Sequence, residues 1–147
     1  MLLLFAVGFG IIVGLAISDN PAPQVDPRTA VEQLGGKVYL GEDGTVVAVD
    51  LGRTKTTDAD LALVKQLPQL RGLSLWGTQV GDTGLLNLED LSQLEELNLL
   101  CTKVSDAGLV HLKGARQLRS LNLLGTSVTR DGVADLRKSL PLLVVVR

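Results

Sequence analysis

From Val46 onward the chain repeats itself every 24 residues without an insertion. The units are VVAVDLGRTKTTDADLALVKQLPQ, LRGLSLWGTQVGDTGLLNLEDLSQ, LEELNLLCTKVSDAGLVHLKGARQ and LRSLNLLGTSVTRDGVADLRKSLP, followed by a broken fifth, LLVVVR. A fixed period of this length predicts a stack of small supersecondary units, each burying its apolar side on the next. Composition agrees: 46% of residues are apolar but only 3% aromatic, so the core is Leu and Val, not large rings.

The positions that stay apolar say what each unit is. The first, fourth and sixth are Val46, Val49 and Leu51, then Leu70, Leu73 and Leu75, then Leu94, Leu97 and Leu99, then Leu118, Leu121 and Leu123. Alternation between the fourth and sixth predicts a short strand with one buried face. Later in each unit Leu61, Val64 and Leu67, repeated as Leu85, Leu88 and Leu91, recur at intervals of three and predict one side of a short helix. Strand, turn, helix and turn then repeat, with parallel strands on one side of a shared core and helices on the other.

Thr recurs at the ninth position as Thr54, Thr78, Thr102 and Thr126, where its hydroxyl satisfies turn backbone that no ladder reaches. Asp58, Asp82 and Asp106 precede the helices, where a carboxylate is expected to cap free amides. The last unit has Thr129-Arg130-Asp131 there, leaving Thr129 or Asp131 as the cap.

These residues resemble the leucine-rich repeat family. The L-x-x-L-x-L-x-x-T-x-V skeleton followed by D-x-G-L is similar to its bacterial 24-residue, helix-containing subtype, over residues 46 to 147. The resemblance implies an α/β leucine-rich repeat solenoid, a right-handed superhelix with a concave parallel sheet and helices on the convex side. It also implies a non-catalytic binding role with the partner on the concave face. Many members carry Asn at the ninth position, where this chain has Thr. Ubiquitin-ligase adaptors of similar subtype add an F-box, and no such module precedes Val46.

The remaining segments are read around this array. MLLLFAVGFGIIVGLAI carries no charged side chain and is shorter than the roughly 20 apolar residues that cross a bilayer comfortably. Residues 1–18 are read as a signal peptide cleaved after Ser18 or an uncleaved membrane anchor, with a buried N-terminal helix as the third reading. Residues 19–27 hold three of the five prolines and are read as a linker. Residues 28–45 are read as an N-terminal cap: RTAVEQLGG as a short helix ending at Gly35-Gly36, then a hairpin turning at Glu42-Asp43-Gly44. The repeats occupy 46–141, and 142–147 supplies a capping strand.

Several functions are disfavoured by what the chain carries. Fourteen basic against sixteen acidic residues give a net charge of -2, with no Lys/Arg cluster to track phosphates, so nucleic acid is not an expected partner. A single Cys forms no internal disulfide, metal knuckle or redox pair. Cys101 falls at a strand exit and His111 on the outer helix, so the two do not form a nucleophile and base. Asp58, Asp82 and Asp106 stand one per repeat, which speaks against a metal site. Gly84 and Gly108 are repeat positions without the Lys-Ser or Lys-Thr of a phosphate loop. No catalytic residue, cofactor or metal is expected.

With the fourth and sixth positions inward, the third, fifth and seventh face out of the sheet. The seventh gives Gly52, Trp76, Leu100 and Leu124, so the last three form an apolar strip across strands about 4.8 Å apart. Asp50, Ser74, Asn98 and Asn122 at the fifth position border it, and an apolar strip with a polar margin is how an interaction site looks. These seven residues are the candidate partner-binding set, with Trp76 as anchor. The opposing structural reading folds Trp76 over the rim to shield neighbouring turns. The expected function is an exported or envelope-tethered monomer that binds a protein, a peptide or a cell-surface glycan. The alternative is a structural subunit that assembles with copies of itself through terminal strands or the strip.

Overall fold

The computed structural model describes residues 25–147, which leaves the leader and most of the linker outside the described residues. The element order is α1 (Pro27–Gln33), β1 (Lys37–Leu40), β2 (Val46–Asp50), a 3-10 helix (Asp60–Gln66), β3 (Gly72–Ser74), a 3-10 helix (Asp82–Leu88), β4 (Glu96–Asn98), α2 (Asp106–Leu109) with a 3-10 turn (Val110–Leu112), β5 (Ser120–Asn122), α3 (Arg130–Ser139) and β6 (Val144–Val146). The strands form one six-stranded sheet in sequence order, β1 antiparallel to β2 and the others parallel.

The register follows the repeat. Val49, Leu73, Leu97, Leu121 and Val145 are partners across β2 to β6, as are Asp50, Ser74, Asn98, Asn122 and Val146. Identical slots therefore stack, and the buried Leu and Val of all units merge into one core between the sheet and the helical segments. Each strand is only three residues long in the inner units, because the seventh position already lies in a turn. The ladder nevertheless continues there: Arg53, Gly77 and Cys101 amides donate to the carbonyls of Trp76, Leu100 and Leu124, each at 2.8 Å.

Helix type varies along the stack, and the apolar spacing parallels it in the first, second and fourth units but not in the third. There Leu109, Leu112 and Ala115 also recur every three residues while the segment opens as an α-helix. Leu61, Val64 and Leu67 in the first unit and Leu85, Leu88 and Leu91 in the second recur every three residues, the period of a 3-10 helix, and their segments are 3-10 helices. In the fourth unit the buried set is Val133, Leu136 and Leu140; its steps of three and four match an α-helix, and α3 is one.

The ninth-position threonines act as expected. Oγ1 of Thr54, Thr78, Thr102 and Thr126 donates to the carbonyls of Leu51, Leu75, Leu99 and Leu123, all at 2.7 Å. Thr56 takes the core slot held by Val80, Val104 and Val128 in later units, and its buried hydroxyl is satisfied by Thr54 Oγ1 at 2.6 Å. Position eight is left-handed in every unit, at Arg53, Gly77, Cys101 and Gly125, a backbone signal that alternating glycines only half display in the sequence.

The aspartates depart from their expected capping role. Asp82 reaches into the next unit, where its carboxylate accepts from the Ser105 amide at 2.7 Å and hydroxyl at 2.6 Å. Asp106 accepts from the Thr129 amide and hydroxyl at 2.7 and 2.6 Å. Asp58 accepts from the Gly81 amide at 2.6 Å and from the Thr83 hydroxyl. The caps are Ser105 for α2 and Thr129 for α3. Each carboxylate occupies the space that a Cβ would take on Gly84, Gly108 or Gly132 of the following unit, which is why D-x-G recurs. The first unit follows no such aspartate, and Asp60 stands in its glycine slot, bonding the Thr57 amide and hydroxyl at 2.7 Å. The last unit has Arg130 at the aspartate slot.

At the amino-terminal end, Pro27 is the first residue of α1, a position that proline suits. Asp26 caps it, accepting from the Arg28 amide at 2.8 Å. The left-handed Gly35 closes the helix, and β1 and β2 turn through Gly41 to Thr45.

Candidate functional site

The sheet face opposite the helical segments carries a groove of about 470 Å³. Its floor is the third and fifth positions: Ala48, Gly72, Glu96 and Ser120 in one row, Asp50, Ser74, Asn98 and Asn122 in the next, with Tyr39 and Val146 at its two ends. The small residues Ala48, Gly72, Ser74 and Ser120 leave room for the depression, which Glu96 and Asn98 of β4 also line. Of the seven candidate residues, the four of the polar row line this groove, whereas Trp76, Leu100 and Leu124 do not.

The polar row is held in a fixed orientation by its own turns. Asn98 Oδ1 accepts from the Leu100 amide and Asn122 Oδ1 from the Leu124 amide, both at 3.1 Å, and Asp50 Oδ1 accepts from the Gly52 amide at 2.8 Å. With its oxygen engaged, each asparagine keeps its Nδ2 hydrogens for other acceptors. The same local bond explains why Asp or Asn recurs at the fifth position: a short acceptor two residues before the turn amide completes it.

Trp76, Leu100 and Leu124 stand in consecutive turns joined by the ladder described above. Trp76 is half-buried, its pyrrole edge lying where a Cβ on Gly52 would sit and its ring 4.7 Å below the Arg53 guanidinium. It therefore shields the first unit's turn, and the ring is pinned in place. Leu100 is half-buried and Leu124 is exposed, at 44%. Sequence reasoning missed the Arg53 partner; glycine opposite tryptophan at the seventh position was the available signal.

Cys101 and His111 are held apart in different layers. Cys101 lies exposed in the turn after β4, while His111 on the helical side has Nδ1 2.7 Å from Glu89 Oε1. The shifted carboxyls are Asp43, Asp106 and Asp135, each held below the ordinary range. Thr45 donors do this for Asp43, Thr129 donors for Asp106, and the Lys113 and Lys138 ammonium groups for Asp135. All three serve turns or inter-repeat contacts, not the groove. Among the described residues no cluster of three His, Cys, Asp or Glu side chains could hold a metal ion, and no helix is long and apolar enough to cross a membrane.

Strand, turn and short helix in 24-residue register, around stacked leucines, decide the architecture. The fold is leucine-rich-repeat-like. An internalin from Listeria monocytogenes aligns with 68% of this chain at 21% identity and a TM-score of 0.46; the chain spans 34% of that protein. Neither a protein-family model nor a curated protein matches the chain.

Proposed function

We propose that this chain is a non-catalytic protein-interaction module, a short leucine-rich repeat solenoid exported or tethered at the cell envelope, which holds a protein or peptide segment on the open face of its sheet. The observation that carries the reading is the polar row: two asparagine amides, locked by their own turns, present fixed donors to a groove beside an apolar strip. Fixed donors lose little side-chain entropy on binding, and a strip with a polar margin supplies the dry contact next to them. The uncharged amino-terminal run supports export or tethering.

The clean perturbation is Asn98→Asp with Asn122→Asp. Aspartate keeps the oxygen that each turn needs, as Asp50 does in the first unit, and removes the outward amide donors. Affinity capture from the native envelope is run with wild type, this double variant and Trp76→Ala side by side. The expected result is one partner held by wild type and lost from the asparagine variant, with cooperative unfolding retained. Equal capture by wild type and both variants refutes the sheet-face reading, and retention by Trp76→Ala alone removes Trp76 from the site.

A further inference from the structure

The groove on the sheet face is charged with one sign only. Its lining includes two carboxylates, Asp50 and Glu96, and no lysine or arginine. Among the described residues no salt bridge involves either of them. Asp50 commits Oδ1 to the Gly52 amide and keeps Oδ2 for another donor. Glu96 is exposed, and its partners across β3 and β5 are Gly72 and Ser120, neither of which carries a charge to neutralise it. Lys37, the β1 partner of Asp50, shares this face but does not line the groove.

The floor between the two carboxylates is bare. A Cβ on Gly72 would meet only Ala48 Cβ, at 3.3 Å, so the space above that residue is open. Strands β2 and β4 flank β3 at one strand spacing each, about 4.8 Å, which puts Gly72 between the rows that carry Asp50 and Glu96. Ser74, two residues further along β3, adds a hydroxyl acceptor on the same face. All of these residues sit on β2, β3 and β4, strands that are paired on both sides.

We infer that the peptide segment held in this groove carries a lysine or arginine, whose cationic head sits over Gly72 between Asp50 and Glu96. Main-chain carbonyls beside it accept from the Asn98 and Asn122 amides. The inference rests on the sheet-face reading above and adds the chemistry of the occupant. A carboxylate on either side gives the cation charge-assisted hydrogen bonds, and the same pair repels an acidic segment, so the groove selects by sign of charge.

The test uses the full chain in a non-ionic detergent, which solvates its apolar amino-terminal run, and random heptapeptides displayed on phage as the probe. Seven extended residues reach about 23 Å, enough to cross β2 to β5. The pool selected by wild type is enriched in Lys or Arg at one position. Asp50→Asn with Glu96→Gln, which keeps the acceptor for the Gly52 amide, erases that enrichment and weakens a selected basic peptide about tenfold, from two partly exposed ion pairs of a few-fold each. Glu42→Gln with Asp90→Asn removes the same charge elsewhere on the surface and leaves enrichment and affinity as in wild type. Gly72→Val fills the floor and abolishes selection, with cooperative unfolding by Trp76 fluorescence confirming the fold. A pool that depends on Gly72 but shows no basic preference overturns this inference and leaves the sheet-face reading standing. A pool indifferent to Gly72→Val, or no selection by wild type because a second copy covers the groove, overturns both. A basic preference that survives loss of Asp50 and Glu96, or that is lost equally in the Glu42 and Asp90 variant, assigns it to overall charge and also overturns the inference.

Discussion

Alanine in place of glycine in the first turn of a helix ordinarily stabilises it, and Gly108→Ala is predicted to do the opposite. A Cβ at Gly108 falls 2.5 Å from Asp82 Oδ1 and 3.1 Å from both Asp82 Cα and Leu85 Cδ1. The carboxylate must swing away, giving up its bonds to the Ser105 amide and hydroxyl. Each partly buried bond is worth about 1 kcal/mol net, so about 2 kcal/mol is lost. The helix gains up to about 1 kcal/mol from alanine over glycine. The clash wins, and a net destabilisation of about 1 kcal/mol is expected, more if the contacts to Asp82 Cα and Leu85 do not relax. Urea unfolding followed by Trp76 fluorescence measures it, in a cycle with Asp82→Ala and the double variant. Without the carboxylate the penalty disappears, giving a coupling of about 1 to 2 kcal/mol. A neutral or stabilising Gly108→Ala, or the same penalty in the Asp82→Ala background, refutes the inter-repeat staple.

Three further outcomes follow from the same geometry. Leu97→Ala removes a buried side chain between Leu73 and Leu121 and costs about 2 to 5 kcal/mol, whereas Leu142→Ala, at 69% exposure, changes urea stability by less than about 0.5 kcal/mol. Thr78→Val deletes the hydroxyl that donates to the Leu75 carbonyl and costs about 1 kcal/mol by thermal unfolding; since the Thr78 amide also reaches that carbonyl, a loss several times larger contradicts this account. Because Thr129 donors depress the Asp106 carboxyl, its stabilisation is complete above the ordinary value of 3.8 and is lost as pH falls through the lower folded value. Acid titration of stability in Thr129→Ala should therefore be shallower than in wild type over that range, and an unchanged profile counts against the assignment.

The 24-residue period, the strand face and the turn threonines were legible before any coordinates, because pleat and helix geometry set side-chain direction from local spacing alone. The steps of three announced a short helix but not its type, since the third unit has the same steps as the first two and opens as an α-helix. Asp82, Asp106 and Trp76 were not legible in the same way. A carboxylate at a helix start satisfies either its own amides or its neighbour's, and only the distance between stacked units selects the latter. Trp76 had two readings in the sequence, binding anchor or shield, and its contacts with Gly52 and Arg53 come from the neighbouring unit. The sequence by itself determined which residues form one core and in what order the units stack, since those depend on periodicity. The tertiary structure alone decided which side chains bridge units and what the groove presents, since those contacts join residues about one repeat apart whose approach no local rule specifies.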